Sequence, residues 1–594
     1  MNLSRQLILV LLSAALLALA IPNELIEFGS PVLGLFSLIP HFIALNSSKS
    51  LKRTCLLCFV QATAAHILSS FWLAHFKDFA IFTLGASALG TGLIHMFFGL
   101  FFYLPNFAKT KSLVKTPYER FLSCDSFKIF WFASIYTIWE GAKSTGFLAY
   151  PWGTLPMTAF DLKLLAQITD ITGVRGITFL FSFFAATAGT FAITSSLKKI
   201  KKPASALLLL TVLATCYGTY QYLKPRQVEK YLNTIFVQQN YDPWKAPNDG
   251  FSIMESEALV LDGIKDFAKQ EKQPDLAVWS EGILSYPFPT AQDHYEWFPE
   301  ASPLLPFIAG TKVPAIIGAP YVISFERMEF CNAAILIDKN GHYQDYYSKI
   351  HLVPFAELLP FTQYKIVRDT LQKILGFSFG WTPGNEFKVF NIPTNGGIGA
   401  PVAVSETTSK AGAVSETDSK AGAPEIASNP GAVTISTPIC FEDAFPEICG
   451  PLKKLGTEVF VNITDDSWSL TKSAEYQHYV ISWYRAIEYR TTFVRSTNSG
   501  FTAVTDPSGR ILASLPLFEK KHLSYSVPVY ENVKTAYLLG GEWLVKLLML
   551  FTAVILVYNI KIIWLSPKIP VVKSKIKEFV TFLNLLRWIA RNFV

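Results

Sequence analysis

The sequence predicts two architectures in one chain: a multi-span α-helical membrane domain and an α/β layered domain outside the membrane. Three observations predict them. Hydrophobic residues make up 51% of the 594 residues and charged residues only 16%, and the apolar ones crowd into the first 220 positions and into 543–565. The connecting loops alternate between basic and acidic or balanced character. Between these apolar regions, short β-rich runs alternate with helical stretches.

A membrane-spanning helix needs about 20 predominantly apolar residues. Such segments occur near 5–22, 31–46, 54–75, 79–104, 127–146, 174–196, 203–222 and 543–565. The second is short and bounded by Pro31 and Pro40, so a tilted or partly re-entrant segment is expected there. The first has one Arg before its apolar stretch, as a signal peptide has, but six further spans make it an uncleaved anchor.

Loop charge gives the orientation. Lys49, Lys52 and Arg53 follow the second segment, Lys109 to Lys128 the fourth, and Lys198, Lys199, Lys201 and Lys202 the sixth. The intervening loops carry Glu24 and Glu27, then Lys77 with Asp78, then mixed signs from Glu140 to Arg175. The positive-inside rule places the N-terminus in the cytoplasm and the large domain outside. The last segment returns the chain to a basic tail, whose Lys, Arg and apolar residues suit an interfacial helix on an anionic leaflet. The expected organisation is a seven-span domain over 1–228, an outer domain over 229–530, a closing span over 531–566 and a cytoplasmic tail over 567–594. The net charge of +7 reflects this orientation, and no basic run interleaved with aromatics suggests nucleic-acid binding.

In the outer domain, strands are expected at 235–239, 276–281, 315–319, 333–338, 388–392, 433–440, 459–464 and 501–505. Val260, Ile264 and Phe267 recur at helical spacing, and a further helix is expected from Glu475 to Arg490. Residues 395–432 form a low-complexity insert. AVSETTSKAG and AVSETDSKAG repeat in tandem over 403–422, too polar to bury a core.

Cys440 ends an apolar run and is followed at once by Phe441, Glu442 and Asp443. A lone Cys is ordinarily a small buried hydrophobe. A thiol nucleophile needs a base or a lowered pKa, because the thiolate attacks. Glu281, in Val278-Trp279-Ser280-Glu281, is a candidate base, and Lys349 a candidate for stabilising an oxyanion beside the Phe441 N–H. Taken singly, these charges read equally well as surface groups or an ion pair. Cys55 and Cys58 form a C-x-x-C on a predicted membrane helix. With no second pair or nearby His in the sequence, they read as buried spacers rather than a metal site. Cys331 and Cys449 could pair only if geometry allowed.

Read together, Trp279-Ser280-Glu281, Tyr347-Ser348-Lys349-Ile350-His351-Leu352-Val353-Pro354-Phe355-Ala356-Glu357 and Pro438-Ile439-Cys440-Phe441-Glu442 resemble the Glu, Lys and Cys motifs of the nitrilase (carbon–nitrogen hydrolase) superfamily. With the predicted spans, the chain resembles that superfamily's membrane-embedded branch, the apolipoprotein N-acyltransferases. Val461 to Trp468 and Val494 to Gly500 match as well. The resemblance implies an αββα catalytic domain. It also implies ping-pong transfer of an sn-1 acyl chain from a membrane phospholipid, typically phosphatidylethanolamine, through a Cys440 thioester. The acceptor would be the N-terminal amine of a diacylated apolipoprotein. It further implies Glu281 as base and acid, Lys349 as oxyanion stabiliser, Glu357 as a carboxylate orienting Lys349, Glu442 as a second supporting acid with Phe441, and Trp244 and Trp468 around the substrate entrance. Both Trp residues read equally well as ordinary core or interface residues. No cofactor, ATP or metal is required, His351 and His478 are structural, and the enzyme is a monomer of the bacterial inner membrane. Two departures from the family pattern, Phe441 for Tyr and Ser469-Leu470 for Phe-Gly, bear on the substrate side.

Two points stay open. The aromatic loop 146–153 suits either an interfacial belt or a wall beneath the outer domain. A membrane-tethered amidase would use the same three residues, but water would resolve its thioester. The apolar stretch Phe355, Leu358, Leu359, Pro360 and Phe361 favours a lipid substrate. A transporter would need paired buried acids in the spans, where Glu140 and Lys143 are the nearest candidates.

Overall fold

The computed structural model describes residues 1–565 apart from 77–79, 108–116, 147, 242–247, 355, most of 359–379 and 395–430. Trp244, the tandem repeat, most of the apolar stretch after Pro354 and the basic tail lie outside the described residues.

The N-terminal part is helical. Helix α1 (Leu3–Ala20) starts at Asn2, whose side chain accepts from the Arg5 N–H. Residues 31–46 form two short helices, α2 (Pro31–Ser37) and α3 (Ile39–Asn46), rather than one. The break falls at Leu38, just before Pro40, which can neither donate to the preceding turn nor fit against it mid-helix. Helix α4 (Leu51–Ser69) is followed by a 3₁₀ turn over Phe71–His75. Helix α5 (Ser87–Phe102) is entered through a π-helical turn over Ile81–Ala86. Further helices run over Asp125–Lys143, Arg175–Thr194 and Leu197–Leu223. By length and composition, the segments Leu3–Ala20, Thr83–Phe102, Arg175–Thr194 and Leu197–Leu223 are long and apolar enough to cross a membrane.

Helices α4 and α5 approach closely because Gly92 and Gly99 lie on the α5 face turned to α4. A Cβ at Gly99 would stand 2.8 Å from the Cys55 Cα, and one at Gly92 2.1 Å from the Thr63 hydroxyl. His95 shares this face. It meets Cys58 of α4 and His41 of α3, with all their donor atoms within 4.8 Å of one another. This corrects the expectation that the C-x-x-C cysteine has no nearby His: the two imidazoles arrive from other helices. All seven cysteines are free, so Cys331 and Cys449 are not paired.

The α/β domain is built on two six-stranded sheets. The first holds β1 (Val228–Gln238), β2 (Leu276–Val278), β3 (Ala315–Ser324), β4 (Glu329–Ile337), β5 (Tyr343–Ser348) and, at its edge beside β1, β12 (Lys521–Tyr530), in the order β12-β1-β2-β3-β4-β5. The second runs in simple order from β6 (Phe390–Pro393) through β7 (Ala432–Ser436), β8 (Val459–Thr464), β9 (Thr492–Thr497) and β10 (Ala503–Thr505) to β11 (Ile511–Ser514). The sheets face each other: Ser496 Oγ of β9 donates to Val278 O of β2 at 2.9 Å, and Thr492 Oγ1 donates to Pro528 O of β12 at 2.6 Å. The amphipathic helix Gly250–Lys269 buries Ile253, Val260 and Phe267 against the first sheet. Lys472–Tyr489 lies on the second, completing an αββα sandwich.

Two expected strands end early, and both endings place chemistry. The run 276–281 stops at Val278, so Glu281 sits in the following turn. Gly318 of β3 lets the strand pass this turn, since a Cβ there would stand 2.5 Å from the Glu281 Cα. The run 433–440 stops at Ser436. Pro438 has no N–H for a ladder, and Cys440 takes a left-handed φ of 52° at the head of a 3₁₀ turn over Cys440–Ala444.

Every residue from Ser473 to Tyr489 is buried. A helix buried on all sides has packing partners all round, and here the second partner is the helical domain. Gln477 Nε2 donates to Pro22 O at 2.8 Å and Ser69 O at 2.9 Å, and Trp72 Nε1 donates to Gln477 Oε1 at 3.2 Å. Tyr484 OH donates to Pro156 O at 2.7 Å. Beyond the helix end, Arg490 donates to Asp170 through Nε (2.9 Å) and Nη2 (2.6 Å). A second, separate unit begins at Leu544 and contains the apolar helix that runs to Leu565.

Candidate active site

The ends of β2, β5 and β7 converge on one buried constellation. Lys349, immediately after β5, is 1% exposed. Its backbone is held at both ends, its N–H donating to Asn332 O at 2.8 Å and its carbonyl accepting from Gly384 N at 2.7 Å. Its Nζ donates to Glu281 Oε1 at 3.0 Å and to Glu357 Oε1 at 2.8 Å. Asn332 Nδ2 reaches the same two oxygens at 2.7 and 3.1 Å. The Asp465 N–H donates to Glu281 Oε2 at 3.2 Å, and the Val353 N–H to Glu357 Oε2 at 2.8 Å. Both carboxylates are therefore fixed at each oxygen, an arrangement that removes reorganisation from any proton transfer involving Glu281.

Burial alone would lower the Lys349 pKa. The Glu281 and Glu357 carboxylates outweigh it and hold the ammonium well above its ordinary range. Cys440 responds in the opposite sense: burial and then Glu281 push its thiol well above its usual value, against the pull of Lys349. The resting group is a thiol, which needs a base in order to attack. Cys440 remains partly exposed whereas Phe441, Glu442 and Asp443 behind it are buried. Asn462 Nδ2 pins the turn by donating to Pro438 O and Cys440 O, each at 2.9 Å.

Glu442 ties the cysteine turn to the lysine segment. It accepts from the N–H groups of Ile439 (2.8 Å), Ile350 (2.7 Å) and His351 (2.9 Å), and from Tyr347 OH. Burial pushes its carboxyl up to about 7, with these backbone donors drawing it back toward the ionised form. Phe441 stacks on Trp152 at 5.9 Å between ring centroids. Trp152 of the aromatic loop thus lies against the cysteine turn. Trp468 packs against Trp72 at 5.7 Å and Phe76 at 5.0 Å, joining the loop after β8 to the end of α4. Leu470 is 68% exposed at a φ of 53°, a backbone conformation that favours glycine.

Asn332, and Asn462 and Asp465 within the matching segment Val461 to Trp468, were given no role from the sequence, and His478 was expected to be structural. A polar residue inside an apolar strand was the available signal for both asparagines. His478 gave none, since its partners come from two other elements. Its Nε2 meets Asp443 at 3.1 Å in the cysteine turn and its Nδ1 meets Asp466 at 2.8 Å in the loop that steadies Glu281. Burial and Arg495 oppose its charge, but Asp466 and Asp443 prevail and raise its pKa to about 9. The imidazolium therefore bridges the Cys440 turn and the loop behind Glu281.

Comparisons with known proteins agree with this arrangement. Residues 13–187 match the apolipoprotein N-acyltransferase N-terminal domain, and residues 254–531 match the carbon-nitrogen hydrolase family. Apolipoprotein N-acyltransferase 2 of Treponema denticola is 40% identical, covering 93% of this chain and 96% of the relative. Apolipoprotein N-acyltransferase 2 of Treponema pallidum is 35% identical over 90% of this chain and 91% of its own. The apolipoprotein N-acyltransferase of Borreliella burgdorferi is 30% identical over 91% and 93%. With a helical N-terminal domain, an αββα domain and Glu281, Lys349 and Cys440 gathered near the ends of its strands, the chain belongs to the apolipoprotein N-acyltransferase family of the carbon–nitrogen hydrolase superfamily.

Proposed function

We propose that this enzyme transfers a fatty acyl chain from the sn-1 position of a membrane phospholipid to the N-terminal amine of an S-diacylglyceryl-cysteine apolipoprotein. The observation that carries the mechanism is the Lys349 ammonium held between Glu281 and Glu357 near a partly exposed Cys440. Glu281 takes the Cys440 proton as sulfur attacks the ester carbonyl. The C–S bond forms, the ester C–O bond breaks, and the proton passes from Glu281 to the departing lysophospholipid alkoxide. In the second half, the acceptor amine attacks the thioester. A C–N bond forms, the C–S bond breaks, and Glu281 carries the amine proton back to sulfur. Lys349 stabilises the oxyanion of both tetrahedral intermediates, with the Phe441 N–H as a second donor. Glu357 orients Lys349, and Glu442 holds the cysteine turn and lysine segment in register. Ester, thioester and amide follow one another downhill, so no external energy source enters.

The protein sits in the bacterial inner membrane with both termini cytoplasmic and the outer domain extracytoplasmic, as its loop charges direct. Its spans lie within 1–228 and 531–566, and it works as a monomer, with phosphatidylethanolamine as donor. Trp152 stacks on Phe441 of the cysteine turn and Trp468 packs on Trp72, and such aromatic rings between the two domains suit an acyl chain better than a soluble amide. The test is to supply acyl-labelled phospholipid with a diacylated lipopeptide. Wild type should place label on the peptide amine, and Cys440→Ala should lose at least roughly 10⁴-fold of this activity while remaining membrane-inserted. Free fatty acid as the main product would favour the amidase, and full activity in Cys440→Ala would exclude the thioester route.

A further inference from the structure

We propose that His41, Cys58 and His95 form a binding site for one monovalent copper ion inside the helical domain. All three residues are fully buried, and they come from α3, α4 and α5. Their donor atoms lie within 4.8 Å of one another. Three donors at about 2.0–2.3 Å from a common ion stand roughly 3.5–4 Å apart, so small side-chain rotations close the set.

A second observation points to a ligand there. Neither ring nitrogen of His41 or of His95 makes a well-formed hydrogen bond, and the same holds for the polar atoms of Gln61, Tyr136 and Trp139 around them. A ring nitrogen of His95 is directed at the Cys58 main chain, as a ligating imidazole's second nitrogen commonly is. Buried imidazoles left unpaired are costly, and binding an ion offsets that cost. The rings are also fixed in place: Trp139 stacks on His95 at 4.1 Å, and Phe102 and Phe132 flank His41, each at 6.2 Å. The same two phenylalanines also line a cleft bordered by Asn46 and Lys128.

The donor chemistry selects the ion. Two imidazoles and a thiolate are soft ligands that suit Cu(I) and Zn(II) alike. No carboxylate belongs to the set. A divalent ion on one thiolate would leave a net positive charge in an apolar interior, whereas a monovalent ion leaves none. Binding replaces the Cys58 S–H proton, so one proton is released for each ion bound. The bound ion would fasten three helices that otherwise meet through apolar contacts and the Gly92–Gly99 face.

The full-length protein in detergent, stripped of metal, would be titrated anaerobically with Cu(I) against the chromophoric chelator bathocuproine disulfonate. Wild type should withhold one equivalent with release of one proton, unfold at a higher temperature when loaded, and show two nitrogen and one sulfur ligands by X-ray absorption. Cys58→Ala and His95→Phe should weaken binding by more than the roughly 10–100-fold expected for loss of an outer partner. Cys55→Ala should bind as wild type does, which separates this site from chelation by the C-x-x-C pair. Surrender of all copper to the chelator by wild type, loss of binding in Cys55→Ala, or uptake of Zn(II) with refusal of Cu(I) would each overturn the assignment.

Discussion

Around Lys349 each charged group meets several partners, whereas around His41 and His95 the ring nitrogens lack a well-formed hydrogen bond. Both clusters are buried, and both gather side chains from three separate elements. The first is complete in itself: a cation between two carboxylates, with amide and backbone donors occupying the remaining carboxylate oxygens. Such a network is set up to move a proton without rearranging, because its dipoles already point where charge will develop. The second sets two imidazoles and a thiol near one another without well-formed hydrogen bonds, the arrangement on which the proposed copper site rests.

This contrast can be broken from the catalytic side first. Lys349→Met leaves Glu281 and Glu357 sharing Asn332 with no cation between them. Acyl transfer should fall about 10³-fold, measured as initial rate with saturating phospholipid. Arg490→Ala should be the next largest effect. It strands the buried Asp170 carboxylate at the seam between the two domains, at a cost of about 3–5 kcal/mol in thermal or denaturant unfolding.

His478 supplies a pH test of the same network. Its pKa is raised from 6.5 to about 9 in the folded protein, so its contribution is fully present below pH 6.5 and is lost as pH rises through 9. That contribution is on the order of 3 kcal/mol. Unfolding followed across this window should show stability falling with rising pH, and His478→Gln should flatten the slope. The smallest expected effect falls on the other cluster. Gly99→Ala drives a methyl group into the Cys55 backbone, forces α5 away from α4, and should cost about 1–3 kcal/mol while leaving acyl transfer at saturating substrate unchanged.

Much of the candidate catalytic centre was legible in the sequence because its residues sit in short contiguous motifs. Glu281, Lys349 and Cys440 closely follow β2, β5 and β7, Glu357 and Glu442 lie further along the same segments, and all meet in the fold. Asn332 and Asp465 were not legible, since their roles arise only when β4 and the loop after β8 are brought against the Lys349 ammonium and Glu281. The helical domain shows the reverse. Its helices were plain from hydropathy, yet its most chemical cluster was hidden. The C-x-x-C spacing drew attention to Cys55, whereas Cys58 finds its partners on α3 and α5. Their meeting depends on Gly92 and Gly99, whose seven-residue spacing repeats too briefly to stand out among apolar residues. The sequence left Trp468 open between an entrance and an ordinary core or interface residue, and its packing on Trp72 and Phe76 required the tertiary contact between the domains.

The central claim is that Cys440 carries the acyl chain. Its most direct test is intact-mass analysis of the purified protein after incubation with phospholipid alone. A single fatty-acyl adduct mapped to Cys440, stable in water and discharged by a diacylated lipopeptide, is the predicted result. No adduct, or one that water removes as fast as the lipopeptide does, would contradict it.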